Sequence, residues 1–164
     1  MKPKFTVYKN KEIKVIEPPV FMLAHEIMRG EGTLPIAYRE ILAAYVSKHN
    51  HSKYCFLTHI AICKELGYGN VLDIFSSNDK EFTPLFNFAL KVIKEDLSKD
   101  ILQEFVKKGF EIEVAEEIIR IVSIITCINQ WVGSHSFDKM TKDQDSYIGH
   151  YANIMKQHNF YPKL

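Results

Sequence analysis

A chain of 164 residues, with 46% hydrophobic and 25% charged side chains, has room for one domain with a substantial core and the composition of an ordinary soluble globular protein. Its formal net charge of +1 gives no electrostatic footprint for nucleic acid or an anionic membrane, and its apolar stretches fall short of the roughly 20 residues that span a bilayer. Three cysteines without an apolar leader argue against a disulfide framework and predict a reducing, cytoplasmic setting.

Residues 1–19 read as an N-terminal extended arm. Apolar residues alternate loosely between Phe5 and Val15, and the stretch ends at Pro18-Pro19, which cannot continue a regular strand or helix. Residues 20–164 are predicted to form a single helical domain, because they contain no repeat, no low-complexity run, no linker and no convincing ladder of strands.

The helical domain is predicted as a succession of amphipathic or buried helices. Thr33 and Ser52 are placed as N-caps, because their hydroxyls can accept a hydrogen bond from an N–H of the first turn. Gly109 ends one helix, and the glutamates that follow it favour the positive end of the next. The approximate ranges are Val20–Met28, Pro35–Ser47, Ser52–Leu66, Pro84–Leu97, Lys99–Lys108, Glu111–Val132 and Asp145–Gln157.

The helix that starts at Ser52 carries the most informative pattern. At about 100° per residue, its lysines gather on one face, while Cys55, His59 and Cys63 lie on the opposite, apolar face. Cys55 and His59 therefore point inward. Because they are four residues apart, a thiol and a potential base share one side of the helix.

Glu40 is the exception on a helix that is apolar nearly all round. Small residues surround it, mostly alanines, so a second helix can approach closely. A carboxylate desolvated in this way would have a raised pKa and could act as a base near neutrality. The neighbouring Arg39 is predicted to form a buried ion pair.

These residues form one continuous pattern: Arg39-Glu40, Ser47, Asn50, Ser52, Tyr54-Cys55 and His59. The pattern resembles the signature of the carboxymuconolactone decarboxylase and alkylhydroperoxidase D-like superfamily. A leucine-containing helix that ends at Gly109-Phe110, an acidic helix start and Asn129 resemble the second half of the same family. The resemblance covers roughly residues 20–137.

The resemblance implies an all-α helical bundle that assembles as a trimer or a trimer-based hexamer, with a cofactor-independent site buried between helices. By position, Cys55 matches the family's peroxide-reacting cysteine, and His59 and Glu40 match a proton relay to that thiol. Ser52 stands where the family has the cysteine that resolves the oxidised thiol as a disulfide.

The serine at position 52 limits the chemistry. A hydroxyl can cap the helix and can donate to a thiolate, but it cannot attack a sulfenic acid. Cys63 is roughly 12 Å from Cys55 along the helix axis, beyond the Cα separation of about 7 Å that a disulfide tolerates. The predicted function is therefore a peroxidase-like activity of antioxidant defence, in which Cys55 reduces a hydroperoxide and an external thiol restores it.

Other interpretations remain open. A lactone decarboxylase-like enzyme would use Glu40 and His59 for proton transfer, with Cys55 incidental, and a catalytically impaired oligomeric member would keep only the fold. Cys55 and His59 could also be core residues, and Glu40 could pair with an arginine across subunits. His49, His51, Cys55 and His59 form a weak zinc pattern, but the first two lie in a turn, so no metal is predicted.

Overall fold

The computed structural model describes residues 19–94 and 98–134, the positions 148, 149, 152, 153 and 155, and the backbone of residues 7–9 and 12–14. Helices dominate this part of the chain, so the fold is all-α, as predicted. The helices are α1 (Pro19–Arg29), α2 (Ile36–His49), α3 (Lys53–Glu65), α4 (Val71–Ser76), α5 (Phe82–Ile93), α6 (Lys99–Lys107) and α7 (Ile112–Ser134). The described positions after residue 147 are helical and fall within the predicted last helix, whose other residues lie outside the described part.

The N-terminal arm contains a short antiparallel pair of strands that the sequence pattern does not indicate. Strand β1 (Val7–Lys9) pairs with β2 (Glu12–Lys14), with Tyr8 opposite Ile13. Each strand has three residues, which is shorter than the stretch over which alternation is a usable signal. Pro19, predicted as the last residue of the arm, is instead the first residue of α1, and the residues of the arm other than those of the two strands lie outside the described part.

Helices α2 and α7 form the centre of the bundle. Helix α2 packs against α3, α5 and α7, and α7 also contacts α1 and α6. On α7, Ile118, Ile121 and Ile125 are fully buried, and their spacing of three and four residues follows the helical period. No helix in the described part is both long and apolar enough to cross a membrane.

The predicted N-cap of α2 is wrong, and the predicted N-cap of α3 is right in position but makes no capping hydrogen bond. Helix α2 has Pro35 at its N-cap position, while the Thr33 hydroxyl donates instead to Oε2 of Glu117 at 2.7 Å. Ser52 does occupy the N-cap position of α3, but its hydroxyl makes no capping hydrogen bond. A buried carboxylate is a stronger acceptor than a neutral group, which explains why Thr33 turns toward Glu117.

The connection between α3 and α5 also differs from the prediction. Helix α4 was not predicted, because its six residues bury only Val71 and Ile74 and are too few to show a period. Helix α5 begins at Phe82 and ends at Ile93, so the predicted range was displaced toward the C-terminus.

Candidate active site

A tight turn between α2 and α3 sets the position of Cys55. His51 adopts a left-handed backbone conformation with φ of 57°, which is uncommon for a residue other than glycine. The turn then closes through the Ser52 N–H, which donates to the Ser47 carbonyl at 3.0 Å. The first turn of α3, which carries Cys55, is thereby held against the end of α2.

The same turn is fastened to α7 by polar side chains. The Ser47 hydroxyl donates to Oδ1 of Asn129 at 3.1 Å, and Nδ2 of Asn129 donates back to that hydroxyl at 3.0 Å. Beside them, Nδ2 of Asn50 donates to the Thr126 hydroxyl at 3.0 Å. These contacts give Ser47, Asn50 and Asn129 a structural role: they fix the start of α3 relative to the core.

Cys55 and His59 lie one helical turn apart on the buried side of α3. Their residues are only 5% and 4% exposed, so the predicted inward orientation of this face is confirmed. Side chains four residues apart on a helix are neighbours, with Cβ atoms about 5–6 Å from each other. The thiol and the imidazole therefore share one small buried region.

Glu40 of α2 joins His59 to α1. One carboxylate oxygen, Oε2, lies 2.6 Å from Nδ1 of His59, and the other, Oε1, lies 2.6 Å from Nη2 of Arg29. The side chain of Glu40 is fully buried, and those of His59 and Arg29 are 5% and 10% exposed. The three side chains form a continuous chain of charge-assisted contacts across three helices.

The predicted rise in the pKa of Glu40 is wrong. Burial by itself would raise the pKa of this carboxyl, but the Arg29 guanidinium and the His59 imidazole lower it, and the net direction is downward from the ordinary value of 4.5. Glu40 is therefore a carboxylate at neutral pH. In that state it accepts hydrogen bonds and has no proton to donate.

Arg29 is the part of this site that the sequence pattern missed. It is the last residue of α1, and its guanidinium also donates to the Met28 carbonyl at 2.9 Å and to the Met155 carbonyl at 3.4 Å. One signal was present: a carboxylate on an apolar helix needs a buried cation, since an isolated buried charge is strongly unfavourable. Nothing local indicates which arginine supplies it.

A second buried ion pair lies outside the candidate site. Nε of Arg39 is 2.7 Å from Oε1 of Glu117, which confirms the ion pair predicted for Arg39. Nη1 of Arg39 donates to the Gly30 carbonyl at 2.7 Å, and Oε2 of Glu117 accepts from the Thr33 N–H at 2.7 Å. Glu117, predicted only as an acid near a helix start, therefore holds the loop between α1 and α2.

Ser52 and Cys63 flank the candidate site along α3. Ser52 is 4% exposed, and among the described residues its hydroxyl has no hydrogen-bond partner. Cys63 is fully buried, and burial, reinforced by the charge of Glu40, raises the pKa of its thiol, so it remains a neutral thiol. The third cysteine, Cys127 on α7, is exposed.

The zinc alternative gains no support from the geometry. His49 and His51 are exposed, whereas Cys55 and His59 are buried. Within the part of the chain that the structure describes, no three histidine, cysteine, aspartate or glutamate side chains converge on a point that could hold a metal ion.

An open groove on the described surface lies elsewhere. It has a volume of about 760 Å³, and its walls are mainly apolar residues of α1 and α7. Cys127 lines it, but Cys55, His59 and Glu40 do not. A ligand in this groove would therefore not reach the buried thiol of Cys55 directly.

The arrangement at Cys55 suits nucleophilic or proton-transfer chemistry. A carboxylate that holds one ring nitrogen of a histidine fixes the ring and leaves the other nitrogen to act as a base. A thiol one helical turn away is the group that such a base can activate. A nucleophile, a histidine and a third group that orients the histidine occur together in enzymes with unrelated folds.

Comparison with known proteins supports the fold. No protein-family model and no curated protein matches this sequence. The structure is similar to that of an uncharacterized peroxidase-related protein from Silicibacter sp. TM1040, with a TM-score of 0.64 and 20% sequence identity. The match covers 71% of this chain and 65% of that one, so it spans less than two thirds of the Silicibacter chain. The all-α fold of this chain is therefore shared with a peroxidase-related protein.

Proposed function

We propose that this protein is a cofactor-independent thiol peroxidase of the alkylhydroperoxidase D-like type, in which Cys55 reduces a hydroperoxide. The observation that carries the proposal is the 2.6 Å contact between Glu40 and His59, one helical turn from the buried Cys55. The fold shared with a peroxidase-related protein is consistent with it.

In the first half of the reaction, the Cys55 thiol gives its proton to His59, which leaves a thiolate beside an imidazolium. The thiolate attacks the terminal oxygen of a hydroperoxide ROOH, so that an S–O bond forms while the O–O bond breaks. Cys55 is oxidised to a sulfenic acid and the peroxide is reduced to an alkoxide. His59 returns the proton to that alkoxide, and the alcohol ROH leaves.

In the second half, the sulfenic acid needs a thiol from outside the chain. Ser52 has no sulfur to offer, and Cys63 is two helical turns away, too far for a disulfide. An external thiol therefore displaces water from the sulfenic acid and forms a mixed disulfide. A second equivalent of that thiol releases Cys55 and leaves as the oxidised disulfide.

The proposal includes a cytoplasmic homo-oligomer, either a trimer or a hexamer. Met22 and Leu23 on α1 are 54% and 55% exposed. Adjacent exposed apolar side chains of this size are a candidate interface. Light scattering of the purified protein measures the assembly directly, and a monomer at all concentrations contradicts this part of the proposal.

A sulfenic-acid probe tests the proposed activity. After treatment with hydrogen peroxide or an organic hydroperoxide, we expect the probe to label Cys55 in the wild-type protein. Cys55→Ser should lose this label, and His59→Gln should acquire it much more slowly because the thiol has lost its base. Absence of label on Cys55 in folded wild-type protein contradicts the proposal.

A lactone decarboxylase-like activity is the second candidate, since the contact between Glu40 and His59 does not require the thiol. In that case, turnover of a lactone substrate should survive Cys55→Ala and be lost in His59→Ala. If neither peroxide nor lactone is turned over and Cys55→Ala changes only stability, the chain is a non-catalytic member that retains the fold.

A further inference from the structure

In the part of the chain that the structure describes, two charged side chains from other helices are linked to His59. Arg29 reaches the site from α1 and Glu40 from α2, with Nη2 and Oε1 2.6 Å apart. On α3, Cys63 is a neutral thiol, because burial and the Glu40 charge raise its pKa. The described C-terminal positions contribute the Met155 carbonyl, which accepts a hydrogen bond from Arg29.

Among the described residues, these groups are in charge balance when His59 is neutral. One guanidinium and one carboxylate cancel, and both side chains are at least nine-tenths buried. A second proton on His59 would leave a net positive charge in a buried site, which is costly. Arg29 is held independently of Glu40 by its hydrogen bond to the Met28 carbonyl at 2.9 Å, so the balancing charge stays in place.

The contact between Glu40 and His59 then fixes the tautomer. A carboxylate can only accept a hydrogen bond, so Nδ1 of His59, 2.6 Å from Oε2, must carry the proton. A neutral ring has one N–H, and Nε2 is therefore unprotonated and basic.

We propose that Arg29 is a positioning residue for the proposed reaction: it balances the charge of Glu40, so that His59 stays neutral and takes the Cys55 proton at Nε2. This inference rests on the proposed function, in which Cys55 is deprotonated by His59. Without Arg29, the buried carboxylate would recruit a proton instead. That proton resides either on His59, which becomes an imidazolium, or on Glu40, which then donates to Nδ1 and leaves the ring proton on Nε2. In both cases Nε2 is protonated and cannot take the proton of Cys55.

Nitrogen-15 NMR of the His59 ring measures whether Nε2 carries a proton, and it requires no peroxide. In the wild-type protein at neutral pH, we expect Nδ1 to be protonated and Nε2 to be unprotonated, with the resonances assigned through their loss in His59→Gln. Arg29→Gln should show a protonated Nε2, whereas Arg29→Lys, which keeps the charge, should restore most of the wild-type signature. A protonated Nε2 in the wild-type protein overturns the proposal and requires no variant to fold.

Arg39 offers a matched control. It forms the other buried ion pair, and its side chain is 3% exposed, but none of its contacts involves Glu40 or His59. Arg39→Gln should therefore destabilise the protein while leaving the His59 signature unchanged. If the His59 ring nitrogens have the same protonation state in Arg29→Gln and Arg39→Gln, Arg29 has only a structural role.

Alkylation of Cys55 by iodoacetamide, followed peptide by peptide, supplies the functional readout. We expect Arg29→Gln to slow this alkylation on the order of tenfold, which is a small part of the roughly 10²- to 10⁴-fold that a positioned base contributes. The exposed Cys127 serves as the reference in the same sample. An unchanged rate in folded Arg29→Gln overturns the inference. If the NMR and alkylation results hold but peroxide leaves Cys55 untouched, the proposed function fails and the role of Arg29 in the protonation of His59 stands.

Discussion

Replacing Glu40 with glutamine tests whether this buried carboxylate stabilises the fold as an anion. The substitution keeps the size of the side chain and removes the charge that lies 2.6 Å from Arg29 and from His59. Removing one partner of a buried ion pair costs about 3–5 kcal/mol, because the remaining charge is left uncompensated. An amide oxygen can still accept a hydrogen bond, so we expect a loss near the lower end, with a fall in Tm of roughly 6–12 °C.

The pH dependence of this loss has a defined sign. The pKa of Glu40 is lowered in the folded protein, so its stabilising effect is complete above the ordinary value of 4.5. As the pH falls from that value through the lowered folded pKa, the unfolded state takes up the proton first and the wild-type protein loses this stabilisation. The difference in stability between the wild-type protein and Glu40→Gln should therefore narrow on acidification.

Urea unfolding followed by circular dichroism, from neutral to acidic pH, measures this difference. Glu104→Gln is the exposed control: Glu104 contacts Lys108 at 2.8 Å and Lys91 at 3.3 Å on the surface. Added salt should reduce the effect of Glu104→Gln but change that of Glu40→Gln little, since buried charges are weakly screened. Equal stability of Glu40→Gln and the wild-type protein at neutral pH, or a difference that does not narrow in acid, would show that Glu40 does not stabilise the fold as an anion.

Ser52→Cys should form a disulfide with Cys55 after one equivalent of peroxide, seen as a linked peptide by mass spectrometry; two thiols that stay separate would show that the turn geometry forbids it. Gly32→Ala should destabilise the protein by about 1–3 kcal/mol in thermal unfolding, because a Cβ there would lie 2.5 Å from Nη2 of Arg39 and 2.8 Å from Oε1 of Glu117; unchanged stability would contradict it. Cys63 should resist alkylation until the protein unfolds, since burial raises the pKa of its thiol, and labelling of Cys63 in the native protein would contradict that assignment.

The parts of the fold that were predicted correctly are those that local sequence patterns determine. Helix α2 was expected to be buried on most sides because it is apolar nearly all round, and Ile41, Leu42, Ala43 and Ala44 are all fully buried. The inward face of α3 was likewise readable from its period, because residues four apart share a side whatever the rest of the chain does.

The ion-pair partners could not be read in the same way. Arg29 and Glu40 lie on different helices, and Arg39 and Glu117 are separated by nearly half of the chain, so no local spacing links either pair. This affected the chemistry that was predicted for Glu40. Its pKa was expected to rise because only burial was considered, but the neighbouring Arg29 lowers it.

Short elements and helix ends were the other source of error. Strands β1 and β2 and helix α4 have too few residues to show a period. The expected cap at Thr33 failed for a different reason, because the distant carboxylate of Glu117 binds that hydroxyl at 2.7 Å. Where tertiary contacts compete with local ones, the sequence alone shows only the local candidate.

Competition between two cysteines of the same chain tests whether His59 and its partners activate the buried thiol of Cys55. Cys127 is exposed and Cys55 is only 5% exposed, so accessibility alone favours oxidation of Cys127. With less than one equivalent of hydrogen peroxide at neutral pH, peptide mapping should show Cys55 oxidised first in the wild-type protein and Cys127 first in His59→Gln. Oxidation of Cys127 before Cys55 in the wild-type protein would contradict the claim that His59 and its partners activate the buried thiol.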